Sequence, residues 1–178
     1  MKKILVISDI HGSYKYLNMA LSSHNDYEKI LILGDLYYHG PRNNLPEEYS
    51  PKDCASLLNS LSDKLIVVKG NCDAEVDQMI SNFPINDFVE FTFGNLTIYA
   101  NHGHHNSKEN IPCGTYDLYL YGHYHKVNLE KQGNKIIASP GSISLPKDDI
   151  HGFIEILDDG TILLKNLLDN SIISKLKD

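Results

Sequence analysis

A chain of 178 residues with a formal net charge of −7 is long enough to bury a core and fits a single domain over residues 1–178. The acidic balance excludes general affinity for nucleic-acid backbone, which depends on Lys and Arg neutralising phosphates, and no apolar run reaches the length of a membrane span. Cys54, Cys72 and Cys113 are widely spaced and odd in number. They suggest neither a disulfide framework nor a thiolate zinc site, and point to a reducing cytoplasm.

In chain order, Lys3 to Ser8 reads as a first strand, because Asp9 interrupts the apolar run too early for a signal-peptide core. A helix is expected from Ser13 to about Asn25, with Leu17, Ala20 and Leu21 on one face. Lys29 to Leu33 is a second strand. Ser50 and Pro51 occupy N-cap and first-turn positions of a second helix, and Leu65 to Val68 is a third strand. Continuous Val, Ile and Leu runs alternating with helices imply buried parallel strands.

Beyond residue 87 the pattern becomes antiparallel. Phe88 to Phe93 and Leu96 to Ala100 flank a Gly94-Asn95 turn, and Tyr116 to Tyr121 is a further strand. Val127 to Lys131 pairs with Lys135 to Ala138, and Phe153 to Leu157 with Thr161 to Leu164. The tail from Ser171 to Lys177 reads equally as strand or helix. The fold class is α/β, with parallel and antiparallel strands in two packed sheets flanked by helices.

Chemistry concentrates at the strand ends. Asp9 and His11 follow the first strand, Asp35 the second, Asn71 the third, His102 the hairpin, and His123 with His125 the strand after it. In open α/β sheets, ligands bind where such loops converge. Gly12, Gly34, Gly70, Gly103 and Gly122 adjoin these residues and are expected to leave room for a metal or phosphate near the main chain. The pairs Asp9-x-His11 and His123-x-His125 are expected to point one way from extended backbone. Each fragment alone reads as an ordinary turn or a solvated histidine. Five in order, with imidazole, carboxylate and carboxamide donors, read as a metal site.

The ordered set Asp9-x-His11, Gly34-Asp35, Gly70-Asn71-x-Asp73, His102-Gly103-His104 and Gly122-His123-x-His125 resembles the signature of calcineurin-like metallophosphoesterases. The stretch from Gly34 to Asn43, Gly70-Asn71-Cys72-Asp73 and Pro140-Gly141-Ser142 are similar, more narrowly, to YfcE-type bacterial phosphodiesterases. The resemblance implies a four-layer α-β-β-α sandwich of two mixed sheets and two divalent metal ions. One ion would be held by Asp9, His11, Asp35 and His125, the other by Asp35, Asn71, His102 and His123, with Asp35 as the bridge. It also implies hydrolysis of a small phosphodiester by in-line attack of a hydroxide generated between the ions. The thiolate-free donor set suits Mn²⁺, Fe²⁺ or Zn²⁺ better than Mg²⁺ or Ca²⁺, and the family favours Mn²⁺.

Many family members carry His after the ligand Asn, where this chain has Cys72. A thiol is a poorer donor, and Cys72 reads first as a small residue packed behind the metal loop. His104 and His39 are alternative proton donors, and Asn71, Cys72 and His104 form the candidate catalytic set. Arg42 and His39 are candidate substrate contacts. Asp73 is expected to orient its loop, and His24, His105 and His151 to lie on the surface. The alternatives are a phosphomonoesterase and a non-catalytic binding scaffold on the same fold. Assembly into a homo-oligomer is compatible with the sequence and not specified by it.

Overall fold

A computed structural model describes residues 1–106 and 108–177. Four strands, β1 (Lys3–Ile7), β2 (Lys29–Ile32), β3 (Leu65–Val68) and β4 (Ile85–Asn86), lie parallel. They are joined by helices α1 (Tyr14–Leu21), α2 (Pro51–Asn59) and α3 (Glu75–Ile80). The chain then builds β5 (Phe88–Phe93), β6 (Leu96–Asn101), β7 (Leu118–Leu120), β8 (Val127–Gln132) and β9 (Lys135–Pro140). It returns to the first sheet as β10 (Gly152–Leu157), β11 (Thr161–Asn166) and β12 (Ile172–Lys177). The seven-stranded sheet has the order β12-β11-β10-β1-β2-β3-β4, and the five-stranded sheet β5-β6-β7-β9-β8. Both are mixed.

Alternation along the strands assigns the layers. Leu5, Ile7, Ile30, Ile32 and Val67 face outward beneath Leu17, Leu21 and Leu58 of α1 and α2. Ile4, Val6, Leu31, Val68, Ile154 and Ile156 face inward against Ile98, Ala100, Leu118, Leu120, Ile136 and Ala138 of the second sheet. The two-sheet sandwich is the one expected, but its layer outside the five-stranded sheet differs. There Tyr119, Tyr121 and Ile137 pack with Ile111 and Tyr116 from the β6–β7 connection, and among the described residues no α-helix follows α3. None of the described helices is long and apolar enough to cross a membrane.

The first helix ends at Leu21 rather than near Asn25. Ser22 donates its hydroxyl to the Met19 carbonyl at 2.8 Å, and a 3₁₀ turn over His24–Asp26 follows. Short polar side chains compete for backbone partners and so favour the end of a helix. The strand around Tyr119 spans Leu118–Leu120 rather than Tyr116–Tyr121, and at its entrance the Asp117 carboxylate accepts the Thr97 N–H at 2.8 Å. The tail is an edge strand. Helix α3 and the short β4 are additions to the expected elements. Asp77 announces α3 by accepting the Ala74 N–H at 2.7 Å, which satisfies a donor at the helix start.

Candidate metal centre

Asp9, His11, Asp35, Asn71, His102, His123 and His125 meet at the carboxyl ends of β1, β2, β3, β6 and β7. The expected extended backbone at the two alternate pairs is not what brings them together. Asp9, His11, Asp35, His123 and His125 have φ of 53°, 50°, 56°, 70° and 57°. This left-handed region costs non-glycine residues about 1–3 kcal/mol each and persists where the surroundings impose it. At Asp9 the imposed contacts are visible: Ser142 and Ser144 donate their hydroxyls to its carbonyl at 2.7 and 3.0 Å, and Ser8 donates to Oδ2 at 2.6 Å. The sequence reading gave these serines no role in the site.

The glycines admit ligand side chains rather than leaving open room. A Cβ on Gly70 would collide with Asp35 Oδ1, and one on Gly122 with Ser8 Oγ.

Two groups of donor atoms share Asp35. In the first, Asp9 Oδ1 lies 3.2 Å from His125 Nε2 and 3.8 Å from His11 Nε2. His11 Nε2 is 3.1 Å from His125 Nε2 and 3.5 Å from Asp35 Oδ2. In the second, Asp35 Oδ2 is 3.4 Å from His102 Nε2, and Asn71 Oδ1 is 3.1 Å from His102 Nε2 and 2.8 Å from His123 Nδ1. Asp35 Oδ1 is occupied by the Cys72 N–H at 2.9 Å, so Oδ2 is the atom facing both groups.

Backbone carbonyls select the tautomers. The Nδ1 atoms of His11, His102 and His125 lie 2.8, 2.6 and 2.7 Å from the carbonyls of Tyr38, Leu33 and Leu145. Donation there turns each Nε2 into the site, where the neutral imidazole presents a lone pair, the arrangement that orients metal-binding histidines. Lone pairs therefore face one another across His11 and His125, and Asp9 Oδ1 is buried with no hydrogen-bond partner. A cation satisfies all of these atoms at once, and the residues present fit a divalent metal. Asp9, His11 and His125 are one of several groups whose ligand atoms lie within 4.8 Å of one another.

Electrostatics follow from this crowding. Burial opposes ionisation of Asp9, but the close approach of the His125 imidazole and the neighbouring histidines hold its carboxyl well below the usual range. Asp35 is likewise lowered against burial, chiefly by His102. His102 is pushed up to about 9, because Asp35 and Asp9 outweigh its burial. Asp73 accepts the N–H groups of Asp35, Leu36 and Gly70 and orients the loop as expected, while burial pushes it up to about 6.

The remaining candidates separate. Cys72 lines the metal-facing cleft rather than packing behind its loop, with burial and the Asp35 charge pushing its thiol up to about 12. Arg42 also lines that cleft. His39 does not: its ring packs edge-on against Tyr38 and Tyr49, at 4.8 and 5.3 Å between centroids. Exposed His104 stands 6.2 Å from His123 between ring centroids, beside a separate hollow of about 200 Å³. His151 is half-buried and stacks on Tyr16 at 4.3 Å, so it is not a free surface residue. Lys147 and Tyr124, unremarked in the sequence, line the cleft, which encloses about 560 Å³.

Two mixed sheets carrying this donor set at their shared end define a metallophosphoesterase, and residues 1–159 match the model of the calcineurin-like phosphoesterase superfamily domain. The chain belongs to that superfamily. Phosphodiesterase YfcE of Escherichia coli (strain K12) is 37% identical over 179 aligned positions, covering 98% of this chain and 97% of that protein. The solved structure of Yfce, a phosphoesterase from E. coli, matches with a TM-score of 0.92 at 35% identity and 98% coverage of both chains. Phosphodiesterase MJ0936 of Methanocaldococcus jannaschii is 25% identical, covering 78% of this chain and 82% of that protein. Vps29 of Entamoeba histolytica complexed with Zn²⁺, at 22% identity, TM-score 0.64 and 98% coverage of both chains, shares the fold.

Proposed function

We propose that this chain is a metal-dependent phosphodiesterase that hydrolyses small phosphodiesters. The observation that carries the reading is the cluster of converging acceptors, above all the partnerless Asp9 Oδ1 beside the His11 and His125 lone pairs. The name of the 37% identical relative, Phosphodiesterase YfcE, supports it. Asp9, His11, Asp35 and His125 would hold one divalent cation, and Asp35, Asn71, His102 and His123 a second. Mn²⁺ is the first choice, with Fe²⁺ or Zn²⁺ as alternatives. When bound, such ions supply Lewis acidity toward phosphoryl oxygens and lower the pKa of a shared water.

The chain's own residues arrange the rest. Asp35 Oδ2 faces both donor groups, and Asn71 presents its carbonyl oxygen between His102 and His123. Arg42 lines the cleft as a candidate contact for an anionic group of the substrate, while His39 supports Tyr38 from the side. Cys72 is the candidate proton donor within the cleft, with His104 a candidate outside it. One domain carries the whole activity, and three free cysteines suit a reducing compartment such as the cytoplasm.

The test is metal-stripped protein reloaded with Mn²⁺, Zn²⁺ or Mg²⁺ and assayed on matched mono- and diesters. Metal-dependent turnover favouring the diester is expected, reduced about 10²-fold or more in Asp35→Asn. Undiminished activity in Asp35→Asn would sink the reading. Preference for the monoester would assign a phosphomonoesterase instead, and a folded protein inert on every phosphoester a binding scaffold.

A further inference from the structure

Arg42 and Lys147 line the cleft beside the donor cluster. Lysine ion pairs among the described residues join Lys2 to Glu28, Lys3 and Lys165 to Glu155, Lys15 to Glu47 and Lys177 to Asp159. Neither Arg42 nor Lys147 has a carboxylate partner among the described residues.

Both cations sit on braced segments. The Lys147 backbone N–H donates to the His125 carbonyl at 2.8 Å, while His125 Nδ1 donates to the Leu145 carbonyl at 2.7 Å. The segment bearing Lys147 is thus tied twice to a candidate metal ligand. Arg42 lies within a turn closed by the Asn43 side chain, which donates to the His39 carbonyl at 2.8 Å. Tyr38 and Tyr124, 42% and 41% exposed, line the cleft beside them. Its volume of about 560 Å³ accommodates a substantial ester arm as well as the phosphate.

From the placement of these two unpaired cations in the cleft we infer that the natural substrate is a phosphodiester bearing a second anionic group, carboxylate or phosphate, on one ester arm, which Lys147 and Arg42 receive. The inference rests on the phosphodiesterase reading and narrows it to a substrate class. Binding remote charge lowers KM without acting on the reacting bond.

The probes are 4-nitrophenyl phenyl phosphate and 4-nitrophenyl 4-carboxyphenyl phosphate, which share a leaving group and differ by one carboxylate. At low ionic strength the wild type is expected to show a KM about ten-fold lower for the carboxylated diester, with the advantage shrinking as salt screens it. Lys147→Met and Arg42→Met should each bring the KM ratio toward one, and Lys147→Arg should preserve it. Calorimetric binding of the matching non-hydrolysable phosphonates should show the same ratio without turnover. A ratio that appears only with a 4-phosphophenyl arm would identify the second anion as phosphate. Equal KM for uncharged, carboxylated and phosphorylated arms in the wild type, or a ratio that neither variant alters, overturns the inference while the diesterase reading stands. Failure to turn over any of these diesters removes that reading and the inference together.

Discussion

Asp73 holds the backbone of Asp35: its Oδ2 accepts the Asp35 N–H at 2.9 Å, and its Oδ1 takes the next N–H, that of Leu36, at 2.7 Å. A third bond, from the Gly70 N–H at 2.7 Å, joins the β2 and β3 loops through one side chain. Asp73 therefore positions the bridging candidate without reaching the donor cluster itself. Asp73→Ala is expected to cost about 2–4 kcal/mol of stability, since buried N–H groups lose their acceptor. Metal affinity should fall about 10- to 100-fold, as for other outer partners of ligand residues. Urea unfolding and metal titration measure the two effects, with Asp73→Asn intermediate in both. A variant with native metal affinity would show that Asp35 is positioned independently.

Metal uptake should depend on pH through His102. Its imidazole is pushed up to about 9 in the metal-free protein, so a metal displaces a proton from it. Apparent affinity is expected to rise about ten-fold per pH unit from 6.5 toward 9, with proton release visible calorimetrically in buffers of different ionisation enthalpy. In metal-free protein the sign reverses. The raised pKa contributes stability that is complete below pH 6.5 and lost as pH rises through 9. An affinity flat across this window would indicate that His102 enters the reaction already neutral.

Leaving-group protonation is the weak point of the site. Cys72 is a thiol raised to about 12, and the imidazole of the exposed His104 is pushed down to about 4 by partial desolvation where its ring meets His105 and by the histidines around it. A neutral imidazole cannot donate as an acid at pH 7. General acids contribute about 10²- to 10⁴-fold, so diesters with poor leaving groups are expected to react slower by at least the lower figure. A series of aryl esters of graded leaving-group pKa provides the measurement. A flat profile would reveal a donor that this arrangement does not show.

Glu155 offers a contrast far from the cleft. It accepts the Tyr27 hydroxyl at 2.6 Å and pairs with Lys3 at 3.3 Å and the largely buried Lys165 at 3.2 Å. Glu155→Ala strands these cations and is expected to cost about 3–5 kcal/mol of stability. Diester turnover below the unfolding transition should stay near wild type. Lost turnover in protein that remains folded would mean that the network reaches the active end.

Much of the architecture was legible because period and burial are local signals. The runs Lys29 to Leu33 and Leu65 to Val68 could only be buried strands, and the alternation from Phe88 to Phe93 only a half-buried one. Elements were missed where a tertiary partner makes them: β4 is two residues paired on β3, and α3 is six residues anchored by Asp77. The tail became a strand because the open edge of β11 received it.

The candidate site divides in the same way. Sequence alone determined which groups gather, because strand ends converge and Asp9, His11, Asp35, Asn71, His102, His123 and His125 each follow a strand. Tertiary structure decided how they gather. Left-handed backbone at Asp9, His11, Asp35, His123 and His125 turns their side chains, and carbonyls of Tyr38, Leu33 and Leu145 from other segments set the imidazole lone pairs. The Leu145 segment also carries Lys147 to the rim. Those decisions depend on hydrogen bonds across as many as 135 positions, as between Ser144 and Asp9, and short-range sequence patterns carry no record of such distant partners.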